Sequence, residues 1–223
     1  MLFRIPMDNN VINCVFCQKF DEKLSYMVHP IFDKIIWKNE SFVLIPAKGS
    51  LVEGYLLIIP IKHYYSLADL PPNILSNLSK IKSIIRRILT EYFTRPIFFE
   101  HGALSQTNLA GSSIRHAHLH CVPFQVDLTH RLQLSHRLRR IDKFEDIANQ
   151  LMINQSYIYF ENQDQGKFIF DDVSVPSQYL RRVIAEELGI SDQWDYAIFP
   201  FEQKVISTLK VLDVARLDML ENF

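Results

Sequence analysis

Short apolar runs at residues 35–37, 41–47 and 55–60 are broken by Lys48-Gly49-Ser50 and by Glu53-Gly54, a rhythm that predicts antiparallel strands. The period then changes. From Pro71-Pro72 to Phe93, the residues Ile74, Leu75, Leu78, Ile81, Ile84, Ile85, Ile88 and Leu89 recur every three or four positions. That spacing predicts one amphipathic helix of about five or six turns, opened by proline. Residues 96–99 and 114–122 read as two further strands joined by a polar loop, 102–113. Strands, a long helix and strands again make an α+β unit that ends near Phe124.

The pattern beyond Phe124 differs. Residues 129–151 read as a basic-then-acidic helical stretch whose His130, Arg131, His136, Arg137, Arg139 and Arg140 line a solvated face. Apolar runs at 157–160 and 167–170 flank the polar segment 161–166, a hairpin with a long turn. Pro176-Ser177 open a helix that runs through Leu188 and stops at Gly189. A last helical pattern occupies 201–220. Neither a repeat nor a low-complexity linker separates the halves, so residues 125–223 are expected to form an α/β extension packed on the unit 12–124.

Composition narrows the function. Lysine and arginine total 24 against 25 aspartate and glutamate, a balance that argues against a nucleic-acid partner. Six glycines stand singly, at 49, 54, 102, 111, 166 and 189, so neither a G-x-G-x-x-G loop nor a Walker loop can be written anywhere in the chain. Any phosphate must be held by other means. No apolar run approaches the ~20 residues of a membrane helix. Residues 1–10 lack the pattern of a secretory signal, and a cytoplasmic location is expected. Of three cysteines, Cys14 and Cys17 form a C-x-x-C pair, which in a reducing compartment signals metal or redox chemistry.

The densest chemistry is Arg115-His116-Ala117-His118-Leu119-His120-Cys121-Val122-Pro123. On a strand, side chains alternate, so the three histidines are expected on one face with Ala117, Leu119 and Cys121 on the other. A strand that merely exposes three imidazoles is the simplest alternative. Ligation of one open zinc is another, but three side chains along an extended strand span about 13 Å, too far for bonds of roughly 2 Å. Direct attack on phosphorus by one imidazole fits better, because neutral imidazole is nucleophilic near pH 7 and a phosphoramidate passes its group on readily. Cys14 and Cys17 with His63 and His116 would complete a closed tetrahedral zinc site, structural because it has no open position. Two buried, unligated cysteines are the alternative there.

The string His116-Ala117-His118-Leu119-His120-Cys121-Val122 resembles the motif of the histidine triad superfamily of nucleotide hydrolases and transferases. Gly54 to Pro60, followed by His63, looks like that superfamily's Gly-His-x-Leu-Ile-Ile-Pro segment, and Ala110-Gly111-Ser112-Ser113 like its phosphate-side turn. The resemblance covers about residues 12–124. It implies an antiparallel sheet with a long helix, a nucleotide substrate and a homodimer. By position, His118 would attack the α-phosphorus, giving a nucleotidyl-histidine. His120 would hydrogen-bond the phosphate or leaving group, and Ser112 or Ser113 would donate from the turn at Gly111. The paired cysteines, His63 and His116 are also similar to the zinc arrangement of bacterial members and of galactose-1-phosphate uridylyltransferases; Phe99-Glu100-His101-Gly102 looks like the latter group's strand before the triad. Three departures are Ala47 in place of an acidic ribose contact, Ser112 in place of a common glutamine, and a longer 102–113 loop.

In the extension, Gln178, Arg181 and Arg182 share a helix face by spacing. Ser177 and Gln178 at the helix start would bind an anion through free N–H groups, with Arg181 completing the clamp; an N-capped surface helix with solvated arginines is the plainer alternative. Trp194-Asp195 reads as core plus cap.

Overall fold

A computed structural model describes residues 14–20, 28–103, 110–171, 174–215 and 220. The amino-terminal segment read for a signal, residues 104–109 of the 102–113 loop and residues 216–219 of the last helical pattern lie outside the described residues. In chain order the elements are α1 (Val15–Phe20), β1 (Trp37–Lys38), β2 (Phe42–Pro46), β3 (Leu56–Pro60), α2 (Pro72–Tyr92), β4 (Pro96–Gly102) and β5 (Leu119–Pro123). They continue as α3 (Thr129–Ser135), β6 (Arg139–Ile141), α4 (Asn149–Met152), β7 (Tyr157–Glu161), β8 (Lys167–Phe170), α5 (Tyr179–Glu187) and α6 (Glu202–Val214). Short 3-10 turns lie at Leu67–Asp69 and Phe144–Ala148. No helix of the described residues is long and apolar enough to cross a membrane.

The fold is α+β, built on one eight-stranded sheet in the order β1-β2-β3-β5-β4-β7-β8-β6, antiparallel at every pairing. The hairpin β7–β8 belongs to this same sheet, because β7 pairs directly with β4 through Phe98↔Glu161 to Gly102↔Tyr157. Most strand positions are buried, and the sequence shows the reason: apolar runs without polar alternation need cover on both faces. One face packs on α2 through Phe42, Leu44, Phe98, Leu119 and Tyr159. The other packs on α5 and α1 through Val43, Ile45, Phe99, Val122 and Phe160.

Helix α2 follows its periodic stripe, burying Leu75, Leu78, Ile81, Ile84, Ile85, Ile88 and Leu89. At roughly 1.5–3 kcal/mol per buried aliphatic side chain, this seam outweighs intrinsic propensity, the weaker source of helix stability. Lys82 is buried on the same side and forms an ion pair with Glu161 of β7, which Arg86 also contacts at 2.6 Å. The pair fastens α2 to the strand that joins the two halves of the sheet.

Three expectations need correction. The strand expected over 114–122 begins only at Leu119, since the Ala117 amide bonds to the Tyr64 carbonyl at 2.8 Å and not to a strand partner. The stretch 129–151 is broken into α3, β6, a 3-10 turn and α4, because Arg139–Ile141 pairs with β8. The helix expected from Pro176 starts at Tyr179, after Gln178 takes a left-handed conformation with φ of 59°.

Candidate active site and metal centre

His116 and His118 precede β5, so the three triad rings do not share one strand face. They divide between two sites. The His116 Nε2–H donates to the Pro60 carbonyl at 2.7 Å, which fixes the tautomer and turns Nδ1 toward the cysteines, as ordering partners do for metal-bound imidazoles. Nδ1 lies 3.3 Å from Cys14 Sγ and 3.5 Å from Cys17 Sγ, while His63 Nδ1 lies 3.3 Å from Cys17 Sγ. The four ligand atoms are within 4.8 Å of one another. A tetrahedral ion with metal–sulfur bonds of ~2.3 Å and metal–nitrogen bonds of ~2.0 Å requires sulfur–nitrogen edges of about 3.5 Å. The cluster therefore fits a metal ion, in a closed Cys2His2 set. The two thiols are chemically unequal: a hydrogen bond from Cys17 pushes Cys14 down to about 3, while Cys17 itself is pushed up.

His118 and His120 line a cavity of about 210 Å³ instead. The His118 Nδ1–H donates to the His116 carbonyl at 2.7 Å, which leaves the lone pair on Nε2. The His120 ring is stacked on Phe99 with centroids 4.3 Å apart and 12° between planes, and its Nδ1 meets the Tyr55 hydroxyl at 2.7 Å. The two rings lie 4.7 Å apart. Burial lowers His118 to about 4 and holds His120 well below the ordinary imidazole range. Burial thus favours the neutral form of both rings.

Ser112 and Ser113 also line this cavity. The Ser112 hydroxyl donates inward to the Ile114 carbonyl at 2.7 Å, whereas Ser113 is exposed. Gly111 stands behind the wall, its carbonyl accepting from the Gln178 amide at 2.8 Å. Its φ is +73°, and a Cβ there would lie 2.9 Å from the Pro176 oxygen, so the turn demands glycine. Gln178 and Arg181 reach the cavity from the extension. Arg181 is 4% exposed, so it is not the solvated arginine of the plainer reading. It donates to the carbonyls of Gly49 at 2.7 Å and Trp194 at 3.0 Å, and through Nε to Gln178 at 3.1 Å. Arg182 instead lies over the Trp194 ring, 3.3 Å from its centroid.

Four further residues line or support the site; Tyr55, Phe99 and His101 lie in segments whose resemblance is noted above but gave them no role, and Phe16 carried no signal of its own. Phe16 sits between Cys14 and Cys17 and places its ring edge against His116 and His118, at 5.7 and 5.6 Å. The metal knuckle thereby forms part of the cavity wall. Tyr55 and Phe99 lie inside apolar strand runs and brace His120. His101 lines the cavity, with its ring 6.4 Å from that of His120, and burial pushes it down to about 3. Around the mouth are Lys19, ion-paired to Asp33, and Lys48, over the Phe32 ring.

Residues 6–137 match the family model described as protein similar to CwfJ C-terminal. The chain belongs to this family. Curated relatives of this CwfJ C-terminal-like chain include CWF19-like protein 1 of Pongo abelii, 27% identical over 165 residues, which span 67% of this chain and 29% of that protein. Zinc finger CCCH domain-containing protein 64 of Arabidopsis thaliana is 30% identical over 115 residues, spanning 52% of this chain and 17% of the relative. The chain thus spans less than a third of the length of these relatives. Solved structures that overlay partially include a zinc-bound histidine triad family protein from Mycobacterium smegmatis, with a TM-score of 0.41 and 23% identity, covering 65% of this chain and 99% of that one. A histidine triad family protein from Bacillus anthracis overlays with a TM-score of 0.42 and 18% identity, covering 64% and 94%.

Proposed function

We propose that the chain is a nucleotide hydrolase or nucleotidyltransferase that works through a nucleotidyl-histidine on His118. The observation that carries this reading is the His118 Nδ1–H bond to the His116 carbonyl. It leaves a neutral ring with its lone pair on Nε2, in the wall of a cavity that His120 also lines. Nε2 attacks the α-phosphorus of a dinucleoside polyphosphate, nucleotide sugar or nucleoside phosphoramidate; an N–P bond forms and the leaving group departs with the electron pair of its bond to phosphorus. Attack by water or another acceptor on the same phosphorus then breaks the N–P bond and restores the imidazole. His120 hydrogen-bonds the phosphoryl group, Ser113 and Gln178 border it, and Arg181 adds positive charge behind.

Zinc is the ion we assign to Cys14, Cys17, His63 and His116. It would supply no open coordination position there, and its role is to fix the knuckle that carries Phe16. Nothing about the site calls for nucleic acid or a membrane as substrate. The homodimer implied by the triad resemblance, the division into units 12–124 and 125–223 and a cytoplasmic location stand as parts of the same proposal.

The test is to incubate wild-type protein, His118→Ala and His118→Gly with these three substrate classes, trapping any adduct by acid-free mass spectrometry. A nucleotidyl adduct on His118 in the wild type, with background rates in both variants, is expected. Wild-type turnover in either variant overturns the mechanism. Tight nucleotide binding with neither adduct nor turnover would instead identify a binding module.

A further inference from the structure

Tyr55 is fully buried, and its ring centroid lies 5.6 Å from the Arg181 guanidinium carbon. Its hydroxyl and His120 Nδ1 are 2.7 Å apart. Counting hydrogens decides which one donates. A tyrosine hydroxyl has one hydrogen, and a neutral imidazole has one N–H and one lone pair. The guanidinium beside the phenol has donors alone. Were Nδ1–H to point at the phenol oxygen, the buried hydroxyl hydrogen would find no acceptor among the described residues, at a cost of roughly 1–3 kcal/mol. The hydroxyl therefore donates to Nδ1, and the ring hydrogen of His120 sits on Nε2. His118 has the opposite arrangement, with Nδ1–H committed to the His116 carbonyl.

We propose that Tyr55, backed by Arg181 of the extension, is a positioning residue that holds His120 as its Nε2–H tautomer, so that adjacent imidazoles present one lone pair and one donor to a single phosphoryl group. The hydrogen stays on His120 throughout; its bond to a phosphoryl oxygen strengthens as negative charge grows there. Phe99, stacked on the ring, keeps the imidazole plane fixed. The catalytic consequence rests on the reading of His118 as nucleophile, whereas the tautomer does not.

The experiment is nitrogen-15 NMR of the histidine rings in the zinc-loaded 223-residue chain near pH 7.5, with His120 assigned from the signals lost in His120→Gln. Wild-type His120 is expected to be protonated on Nε2, with Nδ1 at a hydrogen-bonded shift. Tyr55→Phe, which removes one oxygen, is expected to move that Nδ1 signal to its unbonded position and to slow formation of the His118 adduct about tenfold. An Nδ1-protonated His120 in the wild type, an unchanged His120 spectrum in Tyr55→Phe, or an unchanged rate in that variant overturns the proposal. Should Tyr55→Phe fail to fold, the wild-type tautomer still decides. If no adduct forms in the wild type, the nucleotidyl-transfer reading fails, while the ring spectra continue to judge the tautomer separately.

Discussion

The backbone carbonyl of His116 accepts the Nδ1–H of His118 at 2.7 Å, while the His116 ring itself faces Cys14 and Cys17. One residue therefore serves both sites: its side chain belongs to the Cys2His2 cluster that could hold a metal ion and its main chain sets the tautomer of the proposed nucleophile. Pro60, whose carbonyl receives the His116 Nε2–H at 2.7 Å, anchors both to the end of β3.

Zinc content is the first consequence to measure. Cys14→Ser removes one of two sulfur donors, and elemental analysis of the purified variant should fall from one zinc per chain to a small fraction. The melting temperature should drop with it, because metal binding and folding are coupled. Full zinc occupancy in Cys14→Ser would refute the ligand set.

The turn behind the cavity gives a second test. Gly111 has φ of +73° with no room for a Cβ beside Pro176 and Val175, so Gly111→Ala should cost about 1–3 kcal/mol in urea unfolding. A loss below ~0.5 kcal/mol, the scale of a neutral surface change, would show that the turn relaxes freely.

Glu100 makes stability depend on pH. Its carboxyl is buried, bonded to the Tyr157 hydroxyl at 2.6 Å and to the Leu67 amide at 2.7 Å, and burial raises it from 4.5 to about 8. The folded state thus keeps this proton where the unfolded chain has lost it. The stabilising contribution is complete below about 4.5 and is lost as pH rises toward about 8, with a limiting slope of about 1.4 kcal/mol per pH unit. In Glu100→Gln that component of the slope should vanish from denaturation curves taken at pH 5, 6 and 7. A variant with the wild-type slope would exclude Glu100 as its source.

The ion pair under α2 yields a fourth expectation. Glu161→Ala leaves Lys82 buried without its carboxylate, and breaking such a pair from one side costs about 3–5 kcal/mol. Chemical denaturation measures it directly; recovery in Lys82→Met/Glu161→Ala would show that the isolated charge, not the lost packing, causes the damage.

Much of this architecture is legible in the sequence because burial leaves a period. The seam Leu75, Leu78, Ile81, Ile85 and Ile88 announces α2, and the unbroken run Leu56–Pro60 announces a strand covered on both sides. The Cys2His2 cluster is legible too, since Cys14, Cys17, His63 and His116 carry ligand chemistry in their side chains and the structure brings them together as a group that could hold a metal ion. Other features had no such trace. His116 alternates as a strand residue would, yet its ring must reach the knuckle, and the ladder cannot start until Leu119. The charges of Lys82 and Arg181 give no sign of burial in the sequence; it is decided by Glu161 in one case and by the carbonyls of Gly49 and Trp194 in the other, partners that no local pattern reveals. Tyr55 looks like one more apolar position, because its hydroxyl has meaning only beside His120.

The pairing of β4 with β5 on one side and β7 on the other bears on how this chain can be handled. A fragment ending near Phe124 would keep the triad but expose the bonding edge of β4, along with faces that Tyr157 and Phe160 otherwise cover. Such an edge recruits other strands. Expressed alone, the first half is expected to self-associate through β4, and a soluble preparation requires that the strand supplied by the second half travel with it.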